Sequence, residues 1–187
     1  GDHRDLHSFP TRRSSDLLAI HPVGKEVGRA IFKAYHADGA KPVLGISVRE
    51  WQGWRHYKEV LAEVSDMVVR ELSARVVFIP MQFPDDVKAA QAIAALTQEE
   101  CTVLKDEYTT SEFLSLVGNM DLMLGIRLHA LIFAGVMGVP MLGISYDPKI
   151  DRFLSSIGEE PVGNLRDVTA GELMAEIRRK WNDKQTI

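Results

Sequence analysis

The chain has 187 residues, a formal net charge of −4, 45% hydrophobic residues and one cysteine, Cys101. That length suffices for one well-buried domain, and the mildly acidic balance argues against a general nucleic-acid binder. A lone cysteine excludes an intrachain disulfide framework and a cysteine-rich zinc site.

Residues 1–17, GDHRDLHSFPTRRSSDL, show neither helical nor alternating apolar spacing. The segment resembles the translation of a short-read sequencing adapter carried into a gene sequence, and it is set aside from the fold. Its Arg4, Arg12 and Arg13 balance Asp2, Asp5 and Asp16, so the net charge without it is still −4. An artefact at the start implies that natural sequence upstream of Leu18 is missing. Residues 18–41 read as a linker or the remnant of a missing N-terminal domain, with a helix near residues 26–35.

From residue 42 onward, strand-like and helix-like runs alternate, so that residues 42–187 read as one Rossmann-like domain. Residues 42–48 (PVLGISV) are short, apolar and rich in β-branched side chains, as a buried strand requires. Over residues 57–72, Val60, Leu61, Val64, Val68 and Leu72 share one side of a helix. Residues 75–80 (RVVFIP) form a second strand, stopped by Pro80. An alanine-rich helix follows over residues 85–96, with Asp85 or Asp86 as its N-cap. Residues 102–104 form a short strand. Thr110 and Ser111 are the capping candidates for a helix that holds Phe113, Leu114 and Leu116 and stops near Gly118. A fourth strand spans 122–126, a helix 128–137 is ended by Gly138, and a fifth strand spans 140–145. A short helix at 149–156 and a final amphipathic helix, capped by Thr169 and running to about Asn182, complete the chain. No apolar run is long enough to span a membrane and no secretory signal is visible. The composition fits a reducing, cytoplasmic compartment.

Strands alternating with helices specify an α/β fold, a Rossmann-like parallel sheet with helices on both faces. In such sheets ligands sit beyond the carboxyl ends of the strands. That edge collects Ser47, Val48, Arg49, Pro80, Gln82, Gly125, Arg127, Ser145 and Tyr146. Arg127 and His129 stand in the first turn of the helix at 128–137, and Lys149 follows the next strand. Backbone N–H groups at a helix start are unpaired and partly positive, so the three cations add to an anion-binding locus. Two uses are open for each side chain. Arg127 is a bidentate clamp on phosphate or carboxylate, or an arginine paired with a protein carboxylate or covering the sheet edge. His129 is a proton donor beside the anion, or a satisfied histidine packed within its helix. Lys149 and Arg49 contact the anion or are solvated surface charges. Trp51, Trp54, His56 and Tyr57 form an aromatic cluster that is either a packed loop or a platform for a sugar ring. The Walker lysine loop, the Gly-x-Gly-x-x-Gly fingerprint and paired metal-ligand histidines are all lacking.

Three segments, taken in order, carry a family resemblance: Gly45-Ile46-Ser47-Val48-Arg49, Asp121 through Gly125-Ile126-Arg127-Leu128-His129-Ala130, and Gly138-Val139-Pro140 through Tyr146-Asp147-Pro148-Lys149. From residue 42 to the end the chain resembles the C-terminal half of the polysaccharide pyruvyl transferases, above all the bacterial enzymes that modify secondary cell-wall polysaccharides. The resemblance implies a GT-B-like enzyme of two Rossmann-type domains, of which this is the C-terminal one. It implies no cofactor and no metal, phosphoenolpyruvate as donor substrate, and a ketal-linked pyruvate on a surface-polysaccharide sugar as product. Residue by residue, the donor contacts fall on Arg127, Leu128, His129 and Lys149, with Arg49 matching a strand-end arginine. Ser145 and Tyr146 complete the substrate-binding set, and His129 is the expected general acid. The acceptor is a polysaccharide or lipid-linked saccharide, and the lipid-linked case implies a peripheral encounter with the inner face of the membrane. Without its N-terminal half this fragment is expected to be inactive alone. A second reading is the nucleotide-sugar-binding domain of a GT-B glycosyltransferase or epimerase, with Glu159 or Glu160 recruited to a ribose. A third is a non-catalytic sugar- or phosphate-binding module.

Overall fold

The computed structural model describes residues 20–50 and 54–185. Residues 1–17 and Trp51 therefore lie outside the described residues. Among those described, strands β1 (Val43–Ser47), β2 (Arg75–Ile79), β3 (Thr102–Val103), β4 (Leu122–Gly125) and β5 (Met141–Gly143) form one sheet. Every pairing is parallel, and the strand order is β3-β2-β1-β4-β5. The helices are α1 (Glu26–Ala34), α2 (Arg55–Leu72), α3 (Asp85–Ala94), α4 (Thr110–Gly118), α5 (Leu128–Val136), α6 (Pro148–Ser156) and α7 (Ala170–Gln185).

Side chains alternate across each strand, so the sheet feeds two cores. On one face Leu44, Ile46, Val76, Phe78, Leu122 and Leu124 pack with α2, α3 and α7. On the other, Val77, Ile79, Met123 and Met141 pack with α1, α4, α5 and α6. Both faces are covered, which is why the strands read as uninterrupted apolar runs rather than alternating ones. Helix α7 earns its place through Leu173, Met174, Ile177 and Trp181, all buried against the first core.

Element boundaries differ from the sequence expectation where local chemistry outweighs pattern. The N-cap of α4 is Thr109 rather than Thr110 or Ser111; its hydroxyl accepts from Glu112 N, and the Glu112 carboxylate accepts from Thr109 N, a reciprocal capping box. Neither Asp85 nor Asp86 caps α3, because the cap position is Pro84 and no side chain serves it. Strand β5 stops at Gly143, since Ser145 bonds to Gly163 and Leu165 instead of continuing along β4. Thr169 does serve α7, accepting from Glu172 N at 3.1 Å. In the stretch read as linker or remnant, α1 packs on α4, with Gly28 N donating to Ser115 Oγ at 2.8 Å and Phe32 buried. Among the described residues, no helix is long and apolar enough to cross a membrane.

Candidate functional site

The strand order places a switch between β1 and β4. From β1 the chain leaves toward α2 on one face; from β4 it leaves toward α5 on the other. Neighbouring strands whose exits diverge open a crevice at their carboxyl ends. Its floor is tied together through Ser47: Ile126 N donates to its carbonyl at 3.1 Å, and Arg127 N to its side-chain Oγ at 3.3 Å. Gly125 permits the tight exit from β4, because a Cβ there would stand 2.7 Å from Leu131 Cδ2.

Arg127 occupies the N-cap position of α5 and reaches across the end of the sheet to α3. Its Nε and Nη2 donate to the two oxygens of Asp86 at 2.9 and 2.7 Å, and Nη2 also donates to Gln82 Oε1 at 2.8 Å. The Asp86 carboxylate further accepts from the N–H groups of Met81 and Gln82. Asp86 is 0% exposed and the Arg127 side chain 15%. The fork of Arg127 is therefore turned to a protein carboxylate, one of the two uses open from the sequence. Asp86 was legible only as a capping candidate. The available signal was an acidic residue one turn beyond Gln82, in the helix that follows β2 at the ligand-bearing edge.

His129 lies in the first turn of α5, half-buried, with its ring edge-on to Phe133 at 6.3 Å between centroids. Burial holds its pKa below the ordinary histidine value, and the charges of Arg127 and then Lys149 push it the same way. Arg127, His129 and Lys149 thus share one electrostatic neighbourhood. Lys149 is exposed in the first turn of α6, whose start is fixed by Asp147 Oδ1 accepting from Lys149 N at 2.8 Å. No side chain caps α5, so its first turn offers N–H dipoles to an anion placed before it. Leu128 packs its side chain against the second core.

The other expected residues line the opposite rim. Arg49 Nη1 donates to Tyr146 Oη at 3.3 Å and its guanidinium lies over the Tyr146 ring, 5.6 Å from the centroid. The Arg49 carbonyl accepts from Tyr57 Oη. Ser145 is buried and pinned by backbone, with its N–H donating to Gly163 O and its carbonyl accepting from Leu165 N. Of the aromatic cluster, Tyr57 is core, His56 Nε2 bonds to Val168 O at 2.8 Å, and Trp54 stacks under Arg166. Glu159 pairs with Lys180 at 2.6 Å. Among the described residues, no three His, Cys, Asp or Glu side chains gather to hold a metal ion. The arrangement is that of a cationic crevice with one titratable imidazole.

Comparison with known proteins adds the following. The sequence model described as polysaccharide pyruvyl transferase matches residues 17–148. No curated protein sequence gives a significant match. Among solved structures, ADP-heptose LPS heptosyltransferase II from E. coli superposes with a TM-score of 0.68 at 18% identity, over 87% of this chain and 53% of that chain. A glycosyl transferase family 9 protein from Veillonella parvula gives 0.67 at 12% identity, over 88% and 54%. The UDP-GlcNAc 2-epimerase of Methanocaldococcus jannaschii gives 0.62 at 14% identity, over 84% and 43%. At such identities the likeness establishes the fold alone, the Rossmann-like α/β architecture of GT-B glycosyltransferases and epimerases. The chain spans about half the length of the solved structures it matches.

Proposed function

The chain belongs to the polysaccharide pyruvyl transferase family, and from that premise we propose that its crevice binds phosphoenolpyruvate and passes the pyruvyl group to a saccharide as a ketal. The observation that carries this reading is His129 in the first turn of α5, within electrostatic reach of both Arg127 and Lys149. Phosphoenolpyruvate has both a phosphate and a carboxylate, and so calls for several converging cations.

In this reading the protonated imidazole of His129 gives its proton to the methylene carbon of the donor, which becomes a methyl group. The positive charge that develops at C2 is captured by one sugar hydroxyl, whose proton returns to the His129 imidazole. The C2–O bond to phosphate then breaks with its electron pair leaving on inorganic phosphate, and the second hydroxyl adds to C2 and gives its proton to the departing phosphate, closing the ketal. Lys149, the outward edge of Arg127 and the α5 dipole stabilise the charge gathering on the departing phosphate. Burial first and then these two cations hold the His129 pKa down; the bound anion offsets the cations' share, and so favours protonation of the acid that attacks it. Arg49, Tyr146 and Ser145, on the far rim, stand on the acceptor side. The whole enzyme closes its site with a second Rossmann-type domain and meets a polysaccharide or lipid-linked acceptor at the cytoplasmic membrane face.

The test is calorimetric titration of the chain with phosphoenolpyruvate and, separately, with uridine diphosphate. Saturable binding of the first, weakened about tenfold or more by Lys149→Ala, is the expected outcome. Binding of uridine diphosphate alone would overturn it in favour of a nucleotide-sugar domain. That second reading draws support from the shared fold of the glycosyltransferase and epimerase structures.

A further inference from the structure

A separate cavity of about 290 Å³ opens beside the far rim, lined by Trp54, Arg55, His56, Tyr57, Leu165 and Arg166. Two hydrogen bonds join its walls to residues already placed at the crevice: Tyr57 Oη donates to the carbonyl of Arg49, and Leu165 N donates to the carbonyl of Ser145. It therefore adjoins residues of the crevice, on the β1 side.

The lining chemistry is one-sided, since none of the six side chains is acidic. Arg55 is paired with Glu59 at 2.7 Å along its own helix. The Arg166 guanidinium carbon lies over the Trp54 indole, 5.3 Å from the ring centroid, a cation–π contact that restrains where its donors stand. His56 Nε2 faces the carbonyl of Val168 at 2.8 Å. A carbonyl can only accept, so Nε2 carries the hydrogen and Nδ1 of the neutral ring is an acceptor. Flat aromatic walls, a preoriented guanidinium and a ring acceptor suit a ligand with an apolar ring face, hydroxyl groups and an acid group. The volume suits one sugar unit rather than a chain, being at the lower end of ligand cavities.

We propose that this cavity receives one pyranose unit of an anionic saccharide, its ring between Trp54 and His56 and its carboxylate or phosphate on Arg166. The proposal rests on the pyruvyl-transfer reading for its place in the reaction, as a subsite of the acceptor beside the unit that is modified. The cavity's ligand class rests on its own lining.

The test is isothermal titration of the chain with methyl glucuronide, glucose 1-phosphate, methyl glucoside, inorganic phosphate and uridine diphosphate. At least one of the two anionic sugars binds, and which one identifies the acid group. Methyl glucoside binds about tenfold more weakly or not at all. Trp54→Ala and Arg166→Gln each weaken the anionic sugar about tenfold and leave phosphoenolpyruvate titration unchanged, with circular dichroism confirming the fold of each. The inference is overturned if the neutral glycoside or inorganic phosphate binds as well as the anionic sugar. Tighter binding of uridine diphosphate, or unchanged binding in Arg166→Gln, overturns it too. Loss of phosphoenolpyruvate binding with sugar binding intact counts instead against the pyruvyl reading and leaves the cavity's ligand class standing.

Discussion

His129 sits where a proton is least welcome until an anion arrives. Burial first, then the charges of Arg127 and Lys149, lower its pKa from the ordinary value of 6.5. Without ligand the neutral ring is favoured in the fold and the unfolded chain binds the proton more readily. The stability this group contributes is therefore present above pH 6.5 and is lost as pH falls through the lowered folded-state pKa. His129→Gln removes that part of the acid sensitivity, seen as a flatter plot of urea midpoint against pH below neutrality. If the proposed donor binds here, its negative charge opposes that bias, and the protein takes up a proton as phosphoenolpyruvate binds. Titration in buffers of different ionisation enthalpy measures that uptake, and its persistence in His129→Gln would remove the imidazole from the mechanism. Asp86 poses a different problem, because it is fully buried and accepts from two backbone N–H groups as well as from Arg127. Asp86→Ala strands all of these donors and costs about 3–5 kcal/mol in urea denaturation, with Asp86→Asn costing less because an amide oxygen still accepts. The cations themselves could be read from the sequence, since strand ends and a helix start announce them. Their partner could not: Asp86 and Arg127 are 41 residues apart, and no periodicity links a first-turn aspartate to an arginine on another loop.

Between elements, the fit of α1 on α4 is set by a glycine. A Cβ on Gly28 would stand 2.4 Å from the carbonyl oxygen of Ser115, a backbone atom with no freedom to yield. Gly28→Ala gains about 1 kcal/mol in helix propensity but is expected to lose about 1–3 kcal/mol through overpacking. A lowered urea midpoint tests this, and a raised one would mean that the two helices can slide apart cheaply. The sequence offers no hint of this contact, because Gly28 lies in residues 18–41, the stretch read as linker or remnant, where no preceding strand defines its layer. Capping shows the reverse case. The Thr109–Glu112 box is a local motif, readable in principle, yet two further hydroxyl residues in the same run drew the start of α4 one or two positions too late. Ends of strands were harder still. Pro140 to Ser145 reads as one strand, but Ser145 exchanges its backbone bonds with Gly163 and Leu165, partners that only the folded chain brings near.

At the scale of the molecule the doubly covered parallel sheet was the most legible feature. Each strand except β3 is a short block of buried aliphatic side chains bounded by turn residues, and between blocks the period changes to that of a helix. Such a pattern leaves few topologies, and all of them bring the same loop ends to one edge. What the pattern cannot carry is which loop tips touch one another. That is decided by single long side chains such as Arg127 and Arg49. Among the described residues, no side chain caps the helix that follows Arg127. A small anion lodged there would act as an honorary residue, finishing a piece of secondary structure the polypeptide leaves undone. Occupancy and local order then rise together. Scarcity of that metabolite would be registered as fraying at the active edge, faster amide exchange in that turn, and a shorter life among proteases.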